Sequence, residues 1–196
     1  TVGTLHMATG VVQNVTLSAN PGAVLSISGL GILGTGILVD NTSAFTLTIS
    51  ADLGINNNQA WTNNSGNLFT VSGNISLSGN NLTVNGTGNT LISSVISGIP
   101  AGPTLTKDGS GTLTLTGTNI YTRGTTVTGG TLLVDNTAGS GTGTESVTVS
   151  NAGTTLGGIG TISGAATVNA GANIAPGNGG NNTAILNTGA LTLAST

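Results

Sequence analysis

The chain has 196 residues, of which 4% are charged; its formal net charge is -3, it has 34 glycines and it has no cysteine. Lys107 and Arg123 are its whole cationic complement, too few to meet the several phosphates of a nucleic acid or an anionic membrane, and the lack of cysteine removes disulfides, thiolate chemistry and Cys-ligated zinc. Positive mean hydropathy at this low charge excludes a solvated tail, and four prolines without a three-residue glycine period exclude collagen.

The N-terminus, TVGTLHMATG, has no basic stretch followed by an apolar core. It therefore does not read as a signal peptide, and suits a mature end or a piece of a longer chain. No apolar run approaches the ~18 residues of a membrane-spanning helix. His6 has neither an acidic residue nor a cysteine beside it and reads as a surface residue. The first strand-like runs are NVTLS (14–18) and VLSIS (24–28). Gly29, Gly31 and Gly34 of GLGILG have the spacing of a dinucleotide-binding turn. The residues after them, TGILVDN, make another strand-like run rather than the helix that would receive a pyrophosphate, so these glycines read as corners.

Further runs are FTLTIS (45–50), LFTVSG (68–73), NISLSG (74–79) and NLTVNG (81–86), then TLTLTG (112–117), TLLVDN (131–136), SVTVSN (146–151) and ALTLAS (190–195). Most alternate aliphatic with Thr, Ser or Asn, which sends one row of side chains inward and one outward. Pro21-Gly22, Asn85-Gly86, Pro176-Gly177 and Asn178-Gly179 are turn signals. No stretch keeps a helical period. Runs this short, with so few aromatic residues, cannot fill a thick sandwich core, whereas a narrow parallel β-solenoid needs only small aliphatics stacked on equivalent neighbours. The prediction is one all-β solenoid domain over 1–196, with essentially no helix, in about eight to ten coils of roughly 20–25 residues. An antiparallel β-sandwich is the alternative. The Asn-rich stretch 55–67 is expected to bulge outward, and IPAGP (99–103) to protrude between two halves.

Candidate chemistry is sparse. Asp40, Asp52, Asp108, Asp135 and Glu145 are scattered, and hydrolysis of a glycosidic bond needs two convergent carboxylates; they read as solvated turn residues. Lys107 and Asp108 read as an exposed, weak local ion pair. Trp61, set among amides, is a candidate sugar-stacking ledge, or else a plug at the end of a bulged coil. Tyr121 and Arg123, two apart on an extended segment, form a second candidate contact for a glycan or partner, unless Tyr121 covers a coil edge. Asn-x-Ser/Thr triplets begin at Asn14, Asn41, Asn63, Asn74, Asn81, Asn85 and Asn181, a number that composition explains. No catalytic residue, cofactor or metal ion is predicted.

The stretch LTKDGSGTLTLTGTNIYTRGTTVTGGTLLVDN (105–136) resembles the autotransporter-associated β-strand repeat. The resemblance is carried by Lys107, Gly109, Gly111, Leu113, Leu115, Gly117, Asn119, Tyr121, Gly124, Thr125, Val127, Gly130, Leu132 and Val134. Arg123 departs from the pattern, where a small residue is usual. The segment 154–180 is similar to the trailing coils of such proteins through Leu156-Gly157-Gly158, Gly160, Gly164 and Ala175-Pro176-Gly177, and trailing coils are assigned to 146–196. The resemblance implies a right-handed parallel β-helix exported to the bacterial surface, with no shared catalytic residues. Uncapped strands at both ends and a charge-poor surface favour association between copies. The expected function is therefore structural: an extracellular or outer-surface solenoid that builds a fibre, sheath or matrix by self-association. The alternatives are an adhesin stalk that binds cell-surface glycans and, last, a polysaccharide-cleaving enzyme.

Overall fold

The computed structural model describes residues 5–7, 15–18, 24–27, 34–39, 46–99, 104–177 and 184–194; over these the chain is a parallel β-solenoid without helix. Asp40, the turns at 21–22 and 178–179, and residues 100–103 of the proline pair lie outside the described residues.

Successive coils visit the same faces in the same order, although those beginning at Leu105 and Thr125 have no strand at the third. The first face holds nine strands: Leu5–Met7, Gly34–Val39, Gln59–Asn63, Leu82–Asn85, Leu105–Lys107, Thr125–Val127, Val147–Val149, Ala166–Val168 and Leu191–Leu193. The second holds eight: Val15–Leu17, Leu47–Ile49, Phe69–Val71, Thr90–Ile92, Thr112–Leu115, Thr131–Val134, Thr155–Gly158 and Asn173–Pro176. The third position carries a sheet of Val24–Ile27, Asp52–Ile55, Ile75–Ser76 and Ile96–Ser97, and in later coils the pair Thr161–Ile162 and Asn187–Thr188. All pairs between these strands are parallel, which rules out the sandwich. A ladder of nine strands ~4.8 Å apart is roughly 40 Å tall.

Coil length varies as the uneven repeats predict. Gln59, Leu82 and Leu105 stand opposite one another at steps of 23 residues. The step is then 20 to Thr125, 22 to Val147, 19 to Ala166 and 25 to Leu191. The difference is absorbed in turns, so the register of inward side chains is kept. On the second face Leu113, Leu132 and Leu156 stack in one fully buried column, and Leu115 and Val134 in another. Each such side chain contributes about 1.5–3 kcal/mol through removal from water.

Asparagine and aspartate at the turns explain part of the composition. Where the chain enters a strand, a carboxamide or carboxylate oxygen accepts a main-chain N–H of the next coil. Asp52 Oδ1 receives Asn74 N–H at 2.8 Å, and Asn74 Oδ1 receives Val95 N–H at 3.3 Å. Asn58 and Asn81 repeat the device, binding Asn81 N–H at 2.8 Å and Thr104 N–H at 3.0 Å. Side chains thus carry the ladder around corners, at a net worth of about 0.5–1.5 kcal/mol per bond.

The expected outward bulge at 55–67 is not where the structure places its irregularity. Asn56, Asn57 and Asn58 form an exposed turn, but Gln59–Asn63 is a regular first-face strand with alternating burial. The register shift lies one coil earlier, between Thr35 and Ile37, where Gly36 is the extra residue. The tryptophan is kept inside, beside a strand whose register shifts by one residue, and does not turn outward.

Candidate functional site

The sequence singled out Trp61, Tyr121 and Arg123 as contacts for a glycan or partner, and the first two face inward. Trp61 occupies an inner first-face column between Ile37 and Val84 and is fully buried. Its Nε1 donates to Gln59 Oε1 at 2.9 Å, and its ring meets Phe69 edge-on at 6.0 Å between centroids. Neither face of the indole is open to a sugar. The correction has a simple cause: alternation along QAWTN puts Gln59, Trp61 and Asn63 on the core side, and polar flanks do not change a period of two. Asn63 is buried as well, bonded to Asn67 and Asn89 carbonyls and to Ser65, which also closes its Asn-x-Ser/Thr triplet to modification.

Tyr121 lies inside the coil, fully buried, not over its edge. Its hydroxyl and Thr125 Oγ1 share a 2.6 Å hydrogen bond. Burial pushes the phenol well above its ordinary range, and the bond to Thr125 offsets this only in part. The folded phenol therefore keeps its proton while the unfolded one ionises near pH ~10. Above that pH the unfolded state binds fewer protons, so stability falls as pH rises. Tyr121→Phe should cost about 1–2 kcal/mol at pH 7, and thermal melts at pH 9 and 11 should show the gap to the wild type narrowing.

Lys107 is a second correction. It is buried, in the inner column between Val84 and Val127. Its Nζ donates to the main-chain oxygens of Asp108 at 2.6 Å, Gly109 at 2.8 Å and Gly129 at 3.0 Å. All three ammonium protons are thereby used, two in its own turn and one in the next coil. Burial pushes the ammonium down to about 8, with the Asp108 carboxylate acting the other way. Alternation in Leu105-Thr106-Lys107 was the signal that could have placed it inside.

Asn119 replaces a third-face strand. Its Oδ1 accepts Ile96 N–H from the coil before at 2.7 Å, while its Nδ2 donates to the Gly141 oxygen in the coil after at 2.6 Å. Gly117 lies directly against the Ser94 carbonyl of the preceding coil, where a Cβ would strike main chain. Gly117→Ala should therefore part the two coils at a cost of about 1–3 kcal/mol, read from urea midpoints. The second glycine motif has an equally structural role. Gly158 and Gly177, both at φ 114°, exchange two main-chain hydrogen bonds of 2.9 and 2.7 Å in an antiparallel bridge, and this pins the Ala175-Pro176-Gly177 turn onto Gly157-Gly158.

Three of the acids are likewise used by the fold. Asp52 and Asp135 accept main-chain N–H groups of neighbouring coils, and Asp108 accepts the Thr128 hydroxyl. Among the described residues no three His, Asp or Glu side chains come together to hold a metal ion, and no helix is long and apolar enough to cross a membrane. Only Arg123 of the three predicted contacts stays exposed. Near it, Ile120 and Ile99 are 54% and 56% exposed on neighbouring coils, which a 3.0 Å bond from Thr122 Oγ1 to the Ile99 carbonyl joins. Sequence patterning did not reveal this patch.

The polar positions of the motif thus tie coil to coil. A profile of the passenger-associated-transport-repeat family matches residues 105–134, the segment that contains Lys107, Asn119, Tyr121 and Thr125. The chain carries an autotransporter passenger repeat. A relative of this chain is the adhesin BmaC autotransporter of Brucella suis biovar 1 (strain 1330), 45% identical over 92 residues. The matched region is 47% of this chain and 2% of that relative, so the chain corresponds to a small part of it. No solved structure matches. The repeat match and the adhesin relative place the chain in the extracellular space or on the bacterial outer surface.

Proposed function

We propose that this passenger chain is a non-catalytic, adhesin-like rod at the bacterial surface, and that its copies associate end to end. The adhesin relative supports the first part. One observation carries the second. Leu191 and Leu193 stand in the two inner columns of the first face, yet they are 47% and 60% exposed. In those same columns Val147, Ala166 and Val149 are fully buried and Val168 nearly so. A further coil stacked in parallel on this edge, whether from more of the same polypeptide or from a second copy, would cover both leucines and pair the main-chain groups along it. Where a second copy supplies that coil, the head-to-tail contact does not close on itself and extends into a fibre.

Sedimentation and negative-stain imaging across a concentration series test the proposal. The wild type should lengthen with concentration, and a variant with Leu191→Asp and Leu193→Asp should remain single. A wild type that stays monomeric throughout overturns end-to-end association and leaves surface adhesion to be tested by cell binding. In that case the exposed patch of Arg123, Ile120 and Ile99 is the second reading, as the contact for a glycan or protein partner.

A further inference from the structure

We draw no further inference here: the strongest candidate, the outward column Thr83, Thr106, Thr126, Thr148, Thr167 and Thr192 in register along the first face, is a stripe of small side chains, and nothing in the structure shows what covers it.

Discussion

Trp61→Ala should lower the unfolding free energy by about 3–5 kcal/mol, the range for removing a buried large aromatic residue. The indole is fully buried, and its loss opens a cavity between Ile37 and Val84 that a main chain paired on both sides cannot close. It also strips Gln59 Oε1 of the donor at 2.9 Å and removes the edge-on contact with Phe69. Such aromatic pairs contribute about 0.5–1.5 kcal/mol beyond their buried area. Trp61→Phe should retain most of the packing and cost less. Urea denaturation monitored by far-ultraviolet dichroism reads both variants. An Ala variant as stable as the wild type would mean that the indole is not in the core, and would restore it as a surface contact.

Asn119→Leu should cost about 2–4 kcal/mol although it adds apolar volume at a buried position. The carboxamide bridges Ile96 N–H and the Gly141 oxygen, and leucine leaves both main-chain groups without it. Each buried group so orphaned costs about 1–3 kcal/mol. Asn119→Asp is the informative partner. Its carboxylate keeps an acceptor for Ile96 N–H but turns an oxygen toward the Gly141 oxygen, so it should destabilise as well. Hydrogen exchange should show the loss first at the Ile96 amide. Unchanged protection there would mean that the coils are held without the bridge, and that Asn119 is replaceable by any side chain that fills the space.

A period of two determined much from sequence alone. Runs such as Leu105-Thr106-Lys107 and Val147-Thr148-Val149 mark strands, and their shortness with few aromatics favours a thin solenoid over a sandwich. Strand pairing bears this out throughout the described coils. The motif in 105–136 pointed to the passenger class, and the family profile covers the same segment. These features are legible because they depend on neighbours along the chain.

The fate of single polar and aromatic side chains depends on residues some twenty positions away. Nothing beside Trp61 in sequence announces that Ile37 and Val84 will lie on either side of it, or that the register will shift at Gly36. Lys107 reads as a solvated charge until the Gly129 carbonyl of the next coil arrives at its Nζ. Leu191 and Leu193 read as an ordinary inward pair, and only stacking shows them less covered than their counterparts in earlier coils. Alternation along the chain thus decided which way side chains point. The coil length, set by turns of unequal size, decided what each one meets, and only the folded stack contains that information.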